Sequence, residues 1–200
     1  YGDVFVASLA SYGADASRER RADQLQWLDE QLAGTQARWK VVNLHIPMVT
    51  TTALARWFGL DDFQPLLEKH QVDLVVCGHH PIYRRYLPLG EPGQPPILHV
   101  TTGGAGGVGA PIPSPILAQG GDTQHFTVFT VTPDRLEMFA GDGEGKRIDR
   151  TVLLKDADGN PPAEYIASGV PRRLAARIRH LYQELLVPDS WELPFLEIGR

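Results

Sequence analysis

The chain has one cysteine, Cys77, in 200 residues. A lone thiol excludes an internal disulfide framework, so stability has to come from a packed core, and the redox compartment stays open. No apolar run approaches the roughly 20 residues that a membrane-spanning helix needs. Basic residues are outnumbered, 19 Lys and Arg against 24 Asp and Glu for a formal net charge of −5. They are scattered apart from one cluster near the C-terminus, which argues against a nucleic-acid footprint, a basic excess gathered on one face. Internal repeats and low-complexity tracts are missing as well. The first residues, Tyr1-Gly2-Asp3, include no initiator Met and run straight into the apolar Val4-Phe5-Val6-Ala7. This opening predicts a piece cut from a longer protein.

What is present is 42% hydrophobic residues, enough at this length for one sizeable core. Val4 to Leu9 reads as a buried strand, and Ser11 to Ser17 as a polar loop. Leu25, Leu28 and Leu32 fall on one face of a helix predicted from Arg20 to Ala33, with Gly34 at its C-terminal end. Trp39 to Leu44 is a second strand that ends at His45-Ile46-Pro47, and Thr50 to Thr52 lie in a loop. A helix over Asp61 to Lys69 precedes a third strand, Val72 to Cys77, followed by Gly78-His79-His80-Pro81. Strand and helix alternate, which predicts a sheet with helices packed on it.

After Pro88 the pattern changes. Ile97 to Thr101 reads as a strand, and Gly103 to Gly107 as a flexible loop continued by a proline-rich run to Pro115. Phe126 to Val131, Leu136 to Ala140 and Arg147 to Leu154 read as consecutive antiparallel strands. A helix is expected over Pro171 to Leu186, with Leu174, Ile178, Leu181 and Leu185 as its apolar stripe and its arginines largely off it, on a solvated face. The Trp191 to Phe195 tail is expected to cover the sheet or form an oligomer contact.

Two histidines stand just beyond buried strands, His45 after Val41 to Leu44 and His79 after Val75 to Gly78. Ligand sites of open α/β sheets gather at the carboxyl ends of strands. Two imidazoles brought there by separate strands can share one metal, and imidazole suits zinc, iron and similar ions. The competing reading, two ordinary polar loop residues, is equally open on position alone. His99 and His125 fall inside predicted strands and read as core or surface residues. Asn43 and Asp73 read as strand or turn polar groups. The Gly103 to Gly109 loop lacks the Lys and Ser/Thr of a phosphate-cradling P-loop.

Several segments in register resemble the purple acid phosphatase-type branch of the calcineurin-like metallophosphoesterases: Gln24 to Leu28, Trp39 to Pro47, Val72 to His79, Tyr83 with Arg85, and Thr101 to Gly104. The resemblance runs from Tyr1 to about Leu154 and covers the C-terminal half of that family's domain. It implies an α/β fold, the second half of an αββα sandwich, with a mixed sheet, flanking helices and antiparallel strands toward the C-terminus. Residues 1–155 would be the half domain and 156–200 a C-terminal helical extension.

The implied activity is hydrolysis of phosphoesters by a metal-bound hydroxide at a centre of two divalent or trivalent ions, Fe, Zn or Mn. By the match, His45 and His79 bind one of them, and the Gly103 to Gly109 loop packs its backbone close to the site. The family has another metal-binding histidine where this chain has Pro81, a residue without a donor. His80 is the only nearby replacement and stands one position out of register. The remaining ligands belong to motifs expected upstream of Tyr1, in the missing N-terminal half of the same domain. A half sandwich expressed alone is expected to aggregate, dimerise or stay partly unfolded. The branch is often exported, so secretion or a periplasmic location is implied. No general acid is identified. The alternative is a degenerate, non-catalytic binding or scaffold domain that keeps the fold.

Overall fold

A computed structural model describes residues 2–11, 18–49, 62–91, 93–109 and 117–170. The helix expected over Pro171 to Leu186, the tail after it and the Thr50 to Thr52 loop lie outside these residues, as do most of the loop to Ser17 and of the proline-rich run. The elements are β1 (Val4–Leu9), α1 (Arg18–Gly34), β2 (Trp39–Leu44), α2 (Gln64–Lys69), β3 (Leu74–Cys77), β4 (Tyr83–Tyr86), β5 (Leu98–Thr102), β6 (Leu117–Gly121), β7 (His125–Thr132), β8 (Arg135–Asp142), β9 (Arg147–Leu154) and α3 (Ala163–Ala167).

Six strands form one sheet in the order β1-β2-β3-β5-β4-β6, and β7-β8-β9 form a second. The pairs β1–β2, β2–β3 and β3–β5 are parallel, whereas β4 runs antiparallel to both its neighbours. The β7-β8-β9 sheet is antiparallel throughout. The expected mixed α/β sheet with antiparallel strands toward the C-terminus is thus what the chain forms. Strands β4 and β6 were not expected, nor was α3. Tyr83-Arg84-Arg85-Tyr86 shows no apolar alternation, and Leu117 to Gly121 is glycine-rich. Pairing of β4 with β5 and of β6 with β4 overrides these weak local preferences.

Parallel strands covered on both faces need apolar residues at almost every position. On one face, α1 and α2 bury Leu28, Leu32 and Leu67 against Ala7, Leu9, Val42, Leu44, Val75 and Ile97. Each leucine, isoleucine or valine among them contributes about 2 kcal/mol when fully buried. Pro65 is accommodated in the first turn of α2, where its missing N–H would have no helical partner. On the other face, Trp39, Leu74, Tyr83, Leu98 and Val100 meet Leu136, Met138, Ala140 and Leu153 of the second sheet. Tyr165 of α3 packs against the same cluster.

Polar clusters pin the two sheets together. The Tyr83 hydroxyl donates to Asp149 Oδ2 at 2.7 Å, and Arg85 clamps the same carboxylate at 2.7 and 3.1 Å. At the amino ends of β2 and β3, Lys155 reaches back from beyond β9 to Asp73, 2.7 and 2.9 Å from its two oxygens. Lys155 also lies over the Trp39 ring and donates to the Arg38 carbonyl. Trp39 Nε1 donates to the Thr132 carbonyl at 2.8 Å. Asp73, expected as an ordinary strand or turn polar group, is therefore part of a fastening between the sheets.

Apolar side chains are exposed at two places among the described residues. Among the described residues β1 pairs only with β2, and Val6 on it is 58% exposed. On the second sheet Phe126, Val128 and Leu154 are exposed.

Candidate metal site

Register brings the two histidines together. Strands β2 and β3 are parallel neighbours, and Leu44 stands opposite Cys77 at their carboxyl ends. The chain continues as His45 on one side and Gly78-His79 on the other. The Gly78 N–H donates to the His45 carbonyl at 3.1 Å, which extends the pairing one step past the ladder. His79 Nδ1 then lies 3.2 Å from His45 Nε2, with the rings nearly perpendicular at 84°. Two imidazole nitrogens bound at about 2.0–2.1 Å to one ion stand about 2.9–3.4 Å apart for ligand angles between octahedral and tetrahedral. The observed gap falls in that range, so this pair fits a shared ion; without one, an N–H of either ring can donate to the other.

The electrostatics suit ligation. Burial, with the neighbouring His45 adding to it, pushes the His79 imidazole below its ordinary range. A neutral ring keeps the lone pair that a metal requires. His80 is pushed down further, to about 4, chiefly by burial and then by His79 and Arg84. Its ring contacts His79, with centroids 5.4 Å apart, and takes no part in the His45–His79 nitrogen pair. Among the described residues no group of three or more His, Cys, Asp or Glu side chains converges as a metal cluster.

The turn that carries these residues is strained in a defined way. His79 has φ +62°, a left-handed conformation uncommon outside glycine, although asparagine, aspartate and histidine take it more often than other residues. The His80 N–H closes back on the Gly78 carbonyl at 2.7 Å, and the Ile82 N–H on the His80 carbonyl at 2.8 Å. Each closure spans three residues, with His79 central in the first and Pro81 in the second. Proline's fixed φ suits the second, and a positive φ belongs to the rarer form of such turns. Pro81 therefore supplies backbone shape at a position where the family resemblance leads one to expect a donor.

The glycine loop packs onto this turn, as expected. A Cβ on Gly103 would lie 2.3 Å from the His80 carbonyl oxygen, and one on Gly109 would lie 3.0 Å from Pro81 Cγ. The Gly109 N–H donates to the Pro81 carbonyl at 2.8 Å. His99 and His125 are buried, 2% and 5% exposed, in keeping with core positions. The strain at His79 was not legible in the chain, although Pro81 and the paired Gly103-Gly104 were its visible signals.

Residues 6–83 match the sequence model of the calcineurin-like phosphoesterase family. Two proteins of Mycobacterium tuberculosis, from strains CDC 1551 and H37Rv and both described as uncharacterized, are 35% identical over 74 residues. The match takes in 34% of this chain and only 14% of each of theirs. In structure the chain resembles a purple acid phosphatase from yellow lupin (Lupinus luteus) seeds, with a TM-score of 0.66 at 18% identity, over 80% of this chain and 32% of that one. It also resembles GAP50, the anchor in the inner membrane complex of Plasmodium, with a TM-score of 0.61 at 15% identity, over 76% of this chain and 50% of that one.

Proposed function

We propose, from the metallophosphoesterase fold that this chain has, that the parent protein hydrolyses phosphoesters at a metal centre to which His45 and His79 contribute. The observation that carries this reading is the convergence of two imidazole nitrogens at 3.2 Å, at the strand ends where α/β folds place ligands. His45 and His79 would hold one ion, with iron, zinc and manganese as candidates on donor chemistry. His80 stands beside them, and it would join only if the turn around Pro81 re-formed. When bound, ions of this kind supply Lewis acidity toward phosphoryl oxygens and water. The chain's own part is to hold two rings edge to face and to keep His79 unprotonated.

The other donors of a two-ion centre would come from polypeptide outside these residues, and a phosphorylated small molecule or other phosphoester would be the substrate. Among the described residues β1 pairs only with β2, and its exposed Val6 offers a place against which such a segment could pack. In this reading residues 1–155 act as half of the catalytic domain and 156–200 as an extension of it. Among the described residues no helix is long and apolar enough to cross a membrane.

A second reading, a non-catalytic binding or scaffold domain, draws support from Pro81 and from the likeness to a protein described as an anchor. Fold alone does not decide between them. In the full-length protein, His45→Ala and His79→Ala should each lower zinc or manganese content at least tenfold and abolish nearly all hydrolysis of p-nitrophenyl phosphate. Full activity in either variant overturns the catalytic reading. Metal-replete wild-type protein that hydrolyses neither mono- nor diesters favours the scaffold.

A further inference from the structure

His79 is held in an unfavourable backbone conformation, so something outside its own turn has to hold it there. Gly103 presses directly on that turn: its missing Cβ would come within 2.3 Å of the His80 oxygen, 3.1 Å of the His80 carbonyl carbon and 3.3 Å of the Gly78 carbonyl carbon. All three are backbone atoms, so neither side can yield by turning a side chain. The next residue, Gly104, is pressed by a different neighbour, His125. A Cβ there would lie 2.4 Å from both Nδ1 and Cε1 of His125 and 3.2 Å from the Thr123 carbonyl oxygen.

His125 is a firm wedge. It is 5% exposed, and its Nδ1 stands 2.9 Å from the Thr123 carbonyl. An acceptor there requires the proton on Nδ1. The ring meets Tyr83 edge to face, with centroids 5.5 Å apart at 81°. Tyr83 is anchored in turn by Asp149 and Arg85. Nε2 is buried without a hydrogen-bond partner among the described residues, so the ring is kept there despite an unsatisfied acceptor, which ordinarily disfavours a buried polar atom.

We propose that His125 is a positioning residue for His79: its ring, braced on Tyr83, sets the height of Gly103-Gly104, and Gly103 holds the His79–His80 turn left-handed. Order passes from the anchored interface of the two sheets, through two glycines without side chains, to a histidine at the rim. The inference rests on the proposed role of His79 as a metal ligand. Outer-shell groups that orient a ligand commonly change metal affinity by 10- to 100-fold.

The test is zinc affinity, measured by competition with a chromogenic chelator on the full-length protein well below its melting temperature. Gly104→Ala drives a methyl into the His125 ring and should weaken zinc binding at least tenfold. In Gly104→Ala with His125→Ala the new methyl stands where the ring edge stood, which restores the support that His125→Ala alone removes and should recover most of the wild-type affinity. A purely structural role for His125 predicts the reverse order, with the double variant the weaker. Should Gly104→Ala fail to fold, His125→Ala alone decides: the relay requires a loss of tenfold or more, and unchanged affinity overturns it. His79→Ala separates the two ideas. If it leaves zinc affinity unchanged, the ligand reading falls and the relay with it. If it abolishes binding while Gly104→Ala and His125→Ala do not weaken it, only the relay falls.

Discussion

Strands β2 and β3 end in two very different ways. At their amino ends, Trp39 is fully buried and Asp73 is gripped by Lys155, which also covers the Trp39 ring. At their carboxyl ends, His45 is exposed, His79 sits in a left-handed turn, and the contacts that hold the turn are glycine backbone against carbonyl. The same two strands thus carry a fastening at one end and a strained turn with two adjacent histidines at the other. The first kind of end spends its polar groups on one another, whereas the second brings two imidazole nitrogens within 3.2 Å of each other. Strain concentrated where chemistry is offered, with rigidity supplied from elsewhere, is the arrangement expected of a functional site.

That contrast can be broken most forcefully at the fastening. Asp73→Ala leaves the Lys155 ammonium without its carboxylate, and losing one partner of a largely buried pair costs about 3 kcal/mol. Urea denaturation should register that loss while zinc affinity stays within a few-fold of wild type. A comparable fall in both would mean that the two ends are not separable.

Asp149, in the second fastening, should have a somewhat smaller effect. Burial works against its charged form, yet the hydrogen bonds from Arg85 and Tyr83 outweigh it and hold the carboxyl below its ordinary range. A folded-state value below the unfolded one means stability that is present above about pH 4 and is lost as pH falls through the folded value. Asp149→Asn should cost about 2 kcal/mol at pH 7 and flatten the loss of melting temperature below pH 4. An unchanged acid slope would show that other carboxylates govern it. Asp73 has the opposite sign, because burial outweighs Lys155 and raises its value. Its own contribution therefore declines as pH rises from the unfolded toward the folded value, and Asp73→Asn should steepen the acid slope where Asp149→Asn flattens it.

The smallest change is the most pointed. His79→Gly removes the left-handed strain along with the proposed ligand, and it should raise stability by about 1 kcal/mol while zinc binding is lost. A destabilised His79→Gly protein would mean that the imidazole contributes packing that outweighs the backbone relief.

Much of this arrangement is written in the chain. The apolar runs Val4 to Leu9, Trp39 to Leu44 and Leu74 to Cys77, each followed by a turn or helix, dictate strands, and the central run Leu74 to Cys77 is continuous enough to be covered from two sides. Leu25, Leu28 and Leu32 likewise select the buried face of α1. The positions of His45 and His79 just past those runs, and of Pro81 where a donor was expected, are also sequence facts. Tertiary structure alone decides the rest. Strands β4 and β6 exist because neighbours complete their hydrogen bonds, not because Tyr83-Arg84-Arg85-Tyr86 prefers to be extended. The 3.2 Å approach of His79 to His45 follows from register between strands whose paired residues lie more than thirty positions apart. The left-handed His79, the glycine backbones pressed against it and the wedge of His125 beneath them depend on chain segments meeting in space. No local preference encodes that meeting, since an isolated histidine avoids the conformation that the assembled fold imposes on it.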